Sequence, residues 1–355
     1  MVTDIRLQNF RSYSDAAFEL SEGVNIVVGP NASGKTNLLE ALLVIARGAS
    51  YRAGTDELVQ FDKPWARLDA HTPTGQRSVK IDNQSSPAKK TFEVNGQVLS
   101  RLSLEKTIPT VLFEPQHLQL LTGRPDIRRD YLDDLLEQTN VGYAKLRRDY
   151  RRTLSQRNAL LKKGPQQASS QLFAWNIRLS ELGGQVASHR HVLVGKLNKQ
   201  IGELYKRLSK SKVEVELSYS GSWQPQHYSS SLLRQLEEHT EQDFARGFTA
   251  YGPHRDDLQI LLDNHLAQAT ASRGEARTLL LALKMLELDM LEQTRNQKPL
   301  LLLDDVFSEL DGARRRAITE FLKDYQTFIT TTDADVVTRH FINKCNIIPT
   351  LSGAG

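Results

Sequence analysis

The sequence predicts an α/β protein in which a mixed sheet packs against helices and a helical lobe is inserted between two halves of one head. Near the start, an apolar run at 24–28 is followed by helical periodicity from Lys35. Two long, charge-rich helical patterns fill the middle, and apolar strand and helix patterns return from Leu258. The predicted parts are the N-terminal half of the head at 1–115, a helical arm lobe at 116–246 and the C-terminal half of the head at 247–355.

The composition is that of an ordinary globular protein, with 39% hydrophobic and 25% charged residues among 355. A net charge of +4 agrees with a nucleic-acid partner but does not establish one. The first residues lack the basic and apolar segments of a secretory signal, and the apolar runs at 279–283 and 300–303 are too short to cross a bilayer. Cys345, the single cysteine, cannot build a disulfide framework or a cysteine-ligated zinc site. We therefore expect a cytoplasmic protein without a membrane partner.

The N-terminal half reads as strand, turn and strand, followed by a helix. Ile5 and Leu7 alternate with polar neighbours, as in a half-buried strand. The run at 24–28 is nearly all apolar, which is typical of a strand covered on both faces. Leucines at helical spacing follow Lys35, and Gly48 closes that pattern. We expect one helix directly after the second strand.

The next 180 residues change from short strands to long helices. Turn clusters divide residues 66–114 into short strands. Two lysines followed by Gly164-Pro165 predict a helix stop and a hairpin turn between two long helices. This middle section is too short for an extended coiled coil and longer than a normal connection. The predicted helices are 126–162 and 168–210, followed by a strand at 213–217 and a further helix to about Arg246.

A phosphate-binding motif lies between the strand at 24–28 and the following helix. Such a loop needs small residues so that its backbone N–H groups can wrap phosphates, and the helix N-terminus adds positive potential. Lys35 is expected to reach the β and γ oxygens, and Thr36 to offer its hydroxyl to Mg²⁺. The structural alternative is a glycine-rich turn that binds nothing. The predicted ATP-binding residues are Gly29, Pro30, Asn31, Ala32, Ser33, Gly34, Lys35, Thr36 and Asn37.

An apolar strand at 300–303 ends in two acids, Asp304 and Asp305. The carboxyl edge of a parallel sheet is where the phosphates of a nucleotide lie, so this is a candidate Walker B segment. Asp304 is expected on the Mg²⁺ side, and Asp305 is expected to polarise the attacking water. Because aspartate is about one methylene shorter than the usual glutamate, we expect slow hydrolysis. The alternative is a buried strand capped by solvated acids.

Two further motifs narrow the class of ATPase. Ser272-Arg273-Gly274-Glu275 precedes a strong helix at 276–288, where N–H groups and one hydroxyl form an anion site. An ordinary N-cap remains the alternative for this serine. Ser308-Glu309-Leu310-Asp311 follows the Walker B acids and matches a D-loop, with Asp311 as its acid. Along the chain the four motifs follow the order phosphate loop, signature, Walker B and D-loop, which resembles an ABC-type ATPase head. In that class the signature serine of one subunit contacts the γ-phosphate held by the other.

Further sequence segments resemble those of RecF, a family of bacterial recombination-repair ATPases related to the SMC and Rad50 heads. The similarity spans nearly the whole chain, and its length suits a short-armed RecF better than an SMC protein. The strings that carry it are Leu7 to Tyr13, Gly34 to Ala41, Pro115 to Asp133, Tyr251 to Asp257, and Leu302 to Asp311.

The resemblance implies ATP-driven dimerisation on double-stranded DNA near single-strand gaps, with RecO and RecR as partners in loading RecA. It also implies a Q-loop residue, for which Gln116 and Gln119 are both candidates. This chain departs from the family pattern at Gln116, where an acid is usual, and in a signature poorer in glutamine. Residues 330–333 stand where ABC transporters carry a switch histidine, which suits a slow switch better than a fast pump. For His254 and Arg255, both a solvated turn and a role near the nucleotide or dimer interface remain open.

A basic stretch at 145–163 contains eight lysines and arginines and one acid, Asp149. Such a cluster is either a solvated helix face or a surface for the DNA backbone, with salt-sensitive and sequence-independent binding. The candidate DNA contacts are Arg147, Arg148, Arg151 and Arg152.

Three alternative functions remain for the sequence as a whole. A transporter subunit is disfavoured by the inserted lobe, and an SMC-like or Rad50-like head by the short spacing between the head halves. A DNA-binding module without turnover differs from a RecF-like switch only in lacking ATP hydrolysis, which measurement with and without DNA would reveal.

Overall fold

The computed structural model describes residues 1–221, 223–307, 311–333 and 345–350, except for the side chains of 168–170. The chain divides into two compact units. Unit 1 contains residues 1–117 and the chain from Glu287 onward, and unit 2 contains residues 118–286. Unit 2 therefore includes residues 247–286, which the sequence assigned to the C-terminal half of the head. The division into three parts stays a prediction.

The regular elements of the described residues are numbered in chain order. The strands are β1 (Asp4–Phe10), β2 (Tyr13–Glu19), β3 (Val24–Val28), β4 (Trp65–Thr72), β5 (Gly75–Asp82), β6 (Lys89–Val94), β7 (Gln97–Leu99), β8 (Thr110–Phe113), β9 (Val215–Ser220), β10 (Asp257–Leu262), β11 (His265–Leu266), β12 (Leu300–Asp304), β13 (Thr327–Thr331) and β14 (Cys345–Pro349). The α-helices are α1 (Lys35–Arg47), α2 (Gln119–Thr122), α3 (Pro125–Thr139), α4 (Tyr143–Leu161), α5 (Pro165–Ser209), α6 (Tyr228–Glu238), α7 (Thr240–Arg246), α8 (Ala267–Thr270), α9 (Arg273–Arg295) and α10 (Gly312–Leu322).

A parallel sheet forms the centre of unit 1, with strand order β14-β3-β13-β12-β8 among the described residues. Strands β12 and β13 are buried along their whole length, as expected for strands covered on both faces. Helix α1 packs beside this sheet through leucines such as Leu38 and Leu42, which have no exposed surface. The predicted strands at 24–28 and 300–303 are confirmed, the second extending to Asp304, and so is the helix from Lys35.

An antiparallel sheet, in the order β2-β1-β4-β5-β6-β7, completes the described strands of unit 1. The sequence reading missed β2, which pairs with β1 across a tight turn at Arg11-Ser12. Strand β2 lies at the edge of the sheet and is largely exposed, so it lacks the apolar run that marks a buried strand. The predicted short strands within 66–114 are confirmed as β4 to β8.

Unit 2 is built around α5, which packs against α4, α6 and β9. The close packing of α5 on α6 requires Gly184, because an added Cβ there would overlap the side chain of Ser229. The prediction of one helix at 126–162 was wrong, since α3 and α4 are separated by a turn whose Gly142 has φ 88°. A second correction concerns the helix before Arg246, which is split into α6 and α7 at His239. Within the described ranges, no helix is long and apolar enough to cross a membrane.

Candidate nucleotide-binding site

The phosphate loop joins β3 to α1 in unit 1, as the motif requires. Gly34 precedes the helix with φ 94°, a left-handed conformation that favours glycine. The Lys35 ammonium group folds back over the loop and donates hydrogen bonds to the carbonyl oxygens of Gly29 (2.7 Å) and Pro30 (2.8 Å). This cation is therefore held directly above the backbone that would surround a phosphate chain.

The Walker B acid Asp304 meets the phosphate loop at the carboxyl edge of the parallel sheet. Thr36 Oγ1 donates a hydrogen bond to Asp304 Oδ1 at 3.0 Å. Asp304 is only 9% exposed, and its strand pairs in parallel with β13 and β8. The structure thus brings together the two oxygen ligands that the sequence assigned to Mg²⁺.

These two oxygens fit a magnesium site of the nucleotide type. Among the described residues, no group of three His, Cys, Asp or Glu side chains could hold a metal ion. Magnesium in such sites takes one or two protein oxygens, several waters and oxygens of the substrate phosphates, so a larger protein cluster is not needed. Thr36 and Asp304 would therefore suffice as protein ligands for Mg²⁺, directly or through water.

Asp305, the second Walker B acid, follows β12 in a left-handed conformation with φ 52°. Its backbone N–H donates to Thr330 Oγ1 at 2.8 Å, and the same hydroxyl donates to Asp304 Oδ1 at 2.7 Å. Sequence reasoning missed Thr330 as a partner of both acids. A threonine in a buried strand gave no signal, because the contact depends on the pairing of β12 with β13.

The phosphate loop also contacts Thr350, which directly follows β14. Ser33 Oγ and Thr350 Oγ1 share a hydrogen bond of 2.7 Å, and Thr350 N donates to Val28 O at 2.7 Å. A Cβ at Gly29 would overlap both the Thr350 and the Ser33 side chains. Gly29 is therefore needed for close packing at the start of the loop, a reason that the motif alone does not reveal.

A buried carboxylate, Glu40, lies one turn beyond the loop in α1 and has no exposed surface. Arg11 donates two hydrogen bonds of 2.8 Å to it, Arg52 donates one of 2.9 Å, and Ser50 donates one of 2.5 Å. Burial alone would raise the pKa of Glu40, but these donors outweigh burial and lower the pKa to about 2. The cluster continues to the end of the loop, because Arg52 also donates to Asn37 Oδ1 at 2.7 Å.

The signature segment belongs to unit 2, where it begins α9 with a reciprocal capping box. Glu275 N donates to Ser272 Oγ at 3.3 Å, and Ser272 N donates to the Glu275 carboxylate at 2.9 Å. Hydrogen bonds with Ser272 lower the pKa of Glu275. Arg273 and Gly274 form the first turn between them. Ser272 is thus an N-cap within its own chain. This does not conflict with a contact between Ser272 and a nucleotide bound by a second copy of the chain.

The remaining predicted motifs of unit 1 are only partly described. Asp311 caps α10, because its side chain accepts a hydrogen bond from Arg314 N at 2.9 Å, whereas residues 308–310 of the predicted D-loop lie outside the described residues. Gln116 follows β8 at the same sheet edge as Asp304 and is exposed. Gln119 begins α2 in unit 2 and is also exposed. Both remain candidates for the Q-loop.

The four candidate DNA contacts on α4 differ in their surroundings. Arg147 is 15% exposed and forms ion pairs with Asp130, Asp133 and Glu137. The structure leaves Arg148, Arg151 and Arg152 exposed, although Arg151 also pairs with Asp130. Arg157, in the same basic run, is fully buried against Asp243 and does not reach the surface.

His254 is fixed inside unit 2 by both ring nitrogens. Its Nε2 lies 3.1 Å from the carbonyl oxygen of Thr249, which can only accept, so Nε2 carries the hydrogen. Nδ1 then accepts from the Tyr150 hydroxyl at 2.7 Å. Burial lowers the pKa of His254 to about 4, which keeps the ring neutral at neutral pH. Arg255 lies over the Phe248 ring, 5.2 Å from its centroid.

Comparisons with known proteins agree on one family. A family model for the RecF/RecN/SMC N-terminal domain matches residues 1–348. The DNA replication and repair protein RecF of Heliobacterium modesticaldum is 35% identical over 339 residues, covering 92% of this chain and 91% of that protein. The protein of the same name in Clostridium perfringens strain SM101 is 30% identical over 357 residues, covering 99% and 98%.

Solved structures of RecF are similar to this chain over nearly its whole length. That of the recombination mediator protein RecF-ATPrS in the RecFOR pathway has a TM-score of 0.86 and 30% identity, covering 95% of this chain and 93% of that one. An Smc head domain from Pyrococcus furiosus has a TM-score of 0.53 at 14% identity, so it is similar in fold alone.

Proposed function

The chain belongs to the RecF family, within the wider family of RecF, RecN and SMC N-terminal domains, and we propose that it is a weak ATPase that dimerises with ATP on double-stranded DNA. The observation that carries the proposal is the meeting of Thr36 with Asp304 beside the Lys35 ammonium group. The three side chains belong to the strand-loop-helix of β3 and α1 and to β12, which lies in the same parallel sheet with β13 between it and β3. This is the arrangement in which a triphosphate and Mg²⁺ are held.

Each residue has a distinct role at this site. Lys35 and the backbone N–H groups of the loop bind the β and γ phosphates, and Thr36 and Asp304 hold Mg²⁺. Bound Mg²⁺ neutralises charge that develops between the β and γ phosphates. Asp305 orients the attacking water, and its short side chain makes turnover slow.

The dimer forms because two copies of the chain bind the same γ-phosphate. The signature residues Ser272 to Glu275 of one copy contact the γ-phosphate that the phosphate loop of the other copy holds, with Asp311 near the same junction. Charge-assisted hydrogen bonds contribute about 1.5–3 kcal/mol each. Two or three at each of two sites meet the ~5.5 kcal/mol needed to shift an equilibrium from 1:99 to 99:1. Hydrolysis removes these contacts and releases the dimer.

The DNA partner is a duplex next to a single-strand gap, bound through its phosphate backbone. The exposed arginines Arg148, Arg151 and Arg152 on α4 supply the positive charge. By the family resemblance, RecO and RecR join this complex and RecA is loaded on the adjacent single strand. An SMC-like or other ABC-type ATPase acting outside the RecA pathway is the alternative, and it would bind DNA without any response to RecR.

Sedimentation with and without ATP, repeated on gapped DNA, tests the proposal. The wild-type chain should become a dimer with ATP and Mg²⁺, and Lys35→Ala should remain a monomer. Lys80→Ala removes an exposed lysine of β5 and should dimerise like the wild type. A wild-type protein that stays monomeric with saturating nucleotide, or a Lys35→Ala variant that dimerises normally, would refute the switch.

A further inference from the structure

Thr330 lies beside the Walker B acids because of the strand register. Strand β13 pairs in parallel with β12, and Thr330 stands opposite Asp304 in that pairing. On its other side the same strand pairs with β3, so Thr330 lies in the interior of the sheet and is 1% exposed. Its backbone is therefore fixed by two neighbouring strands, one of which leads into the phosphate loop.

The direction of its two hydrogen bonds is unambiguous. The backbone N–H of Asp305 can only donate, so Thr330 Oγ1 accepts that bond at 2.8 Å. The hydroxyl proton of Thr330 is then free to point to Asp304 Oδ1 at 2.7 Å. Each bond polarises the hydroxyl in the sense that strengthens the other. One side chain thus fixes the carboxylate of the first acid and the backbone of the second.

The two acids need this support for different reasons. Asp304 Oδ1 accepts from both Thr36 and Thr330, and within the described residues no hydrogen bond reaches Oδ2. The carboxylate is therefore turned so that Oδ2 remains for another ligand. Asp305 has φ 52°, a left-handed conformation that aspartate adopts more readily than most residues with a Cβ but still at a cost, so the hydrogen bond from its backbone N–H stabilises it.

We propose that Thr330 is a positioning residue that aims Oδ2 of Asp304 at the magnesium side of the nucleotide and holds Asp305 in its left-handed conformation. The inference rests on the proposed function, since it assumes that a nucleotide and Mg²⁺ bind at this loop. Nucleotide affinity in the absence of Mg²⁺ depends on Lys35 and the loop, and the Thr330 side chain makes no hydrogen bond to either. Losing the Thr330 hydroxyl should therefore weaken the response to Mg²⁺ and leave Mg²⁺-free binding unchanged.

The test is a titration of a fluorescent ATP analogue in EDTA and at increasing Mg²⁺ concentrations. Thr330→Ala and Thr330→Ser both remove the methyl group, and they differ only in the hydroxyl. We expect the alanine variant to need ~10- to 100-fold more Mg²⁺ for half-maximal effect, the usual cost of losing a group that orients a metal ligand. The serine variant should respond like the wild type, and both should bind the analogue equally in EDTA.

Thr327→Val is the matched control, because Thr327 is also buried in β13 but its hydroxyl donates to Tyr325 O at the other end of the strand. It should leave the Mg²⁺ response unchanged. Equal Mg²⁺ dependence in the alanine and serine variants, with normal wild-type binding, would overturn the role of Thr330 alone. A wild-type chain that binds no nucleotide would overturn the proposed function, and this inference with it.

Discussion

Glu40 shows how a single buried charge can be favourable at the scale of one residue. Its carboxylate has no exposed surface, and Arg11, Arg52 and Ser50 all donate to it. Glu40→Gln keeps the size of the side chain but leaves the two guanidinium groups without their counter-charge. We expect a loss of about 3 kcal/mol of unfolding free energy at pH 7, because breaking a buried ion pair is strongly destabilising. Urea unfolding measures it.

The difference in unfolding free energy between the wild type and Glu40→Gln should depend on pH with a definite sign. The pKa of Glu40 is lowered from 4.5 to about 2 in the folded chain, so its stabilisation is complete above pH 4.5 and is lost as the pH falls toward 2. The difference between wild type and Glu40→Gln should shrink over that window. Glu22→Gln changes an exposed acid and should cost little at any pH. A constant difference down to pH 2 would contradict the assignment of the ionised form.

The proposed role of Asp305 in activating water can be tested by measuring the rate of ATP hydrolysis. Asp305→Asn keeps the shape of the side chain and removes its ability to accept a proton from water. We expect ATP hydrolysis to fall by at least ~100-fold, the lower range for loss of a general base, while the ATP-bound dimer persists longer. Asp62→Asn makes the same change at another left-handed aspartate and should leave turnover intact. Undiminished hydrolysis in Asp305→Asn would assign the base to a different residue.

The residue scale also shows what a sequence can and cannot reveal about this site. Gly29 to Thr36 are predictable because their spacing along the chain is itself the requirement for binding phosphate. Asp304 is predictable because an apolar run that ends in acids indicates the carboxyl edge of a parallel sheet. Thr330 and Thr350 are not, since each contacts the loop or the acids only through the order of strands in the sheet. Glu40 lies within a run of apolar helical residues, and its partners come from two other segments.

At the scale of elements, the start of α9 has a capping role in the structure and a proposed role in binding the γ-phosphate, and one substitution can separate the two. Aspartate is as good an N-cap as serine, so Ser272→Asp should keep the helix and change the unfolding free energy by less than about 0.5 kcal/mol. The added charge would repel a γ-phosphate from a second copy, so ATP-dependent dimerisation should be lost. Analytical ultracentrifugation and urea unfolding of the same sample distinguish the two effects.

The control for this substitution is Ser230→Asp, which adds a charge to the exposed first turn of α6 in the same unit. It should dimerise with ATP as the wild type does. Normal dimerisation of Ser272→Asp would restrict the signature segment to capping α9 within its own chain.

Element boundaries follow local chemistry where the sequence has a strong signal and depart from it elsewhere. Gly48 ends α1 as predicted, through a left-handed C-cap. The break between α3 and α4 was missed because residues 140–142 lie between two charged helical patterns. Strand β2 was missed because an exposed edge strand needs no apolar run. The Gly164-Pro165 signal, in contrast, correctly predicted a turn between two helices, although α5 begins at Pro165, three residues before the predicted start at 168.

At the scale of the whole molecule, the predicted fold class is confirmed: an ABC-type ATPase head whose mixed strands and helices are accompanied by a long helical insertion. The order of motifs along the chain was sufficient for this, because phosphate loop, signature and Walker B strand occur together in that class. The division into units was less predictable, because residues 247–286 belong to unit 2 and not to unit 1. Strand β10 pairs with β9, which lies before it across a long segment of the chain.

The proposed DNA binding belongs to the scale of the whole molecule, and its salt dependence is measurable. Reversing the charge of Arg148, Arg151 and Arg152 together should weaken binding to gapped duplex DNA. The slope of log affinity against log salt concentration should also fall by about one for each DNA phosphate that the variant no longer neutralises. Fluorescence anisotropy at several salt concentrations gives both values.

A matched set of reversals lies on α5, at the exposed residues Lys196, Lys199 and Arg207. These changes alter the net charge by the same amount without touching α4. If both sets reduce the slope equally, the effect is one of overall charge and α4 is not the DNA-binding surface.

The position of β3 in the parallel sheet has a consequence for how the chain is made. Both neighbours of β3, β13 and β14, come from the last thirty residues of the described chain. While a ribosome synthesises the roughly three hundred residues between β3 and β13, the apolar strand β3 has no parallel strand to pair with, whereas helix α1 can already pack against β1, β4 and β5 of the antiparallel sheet. The pairing of β3 is among the most distant along the chain and therefore slow to form. The unpaired strand β3 should for that reason be a binding site for chaperones until translation is nearly finished.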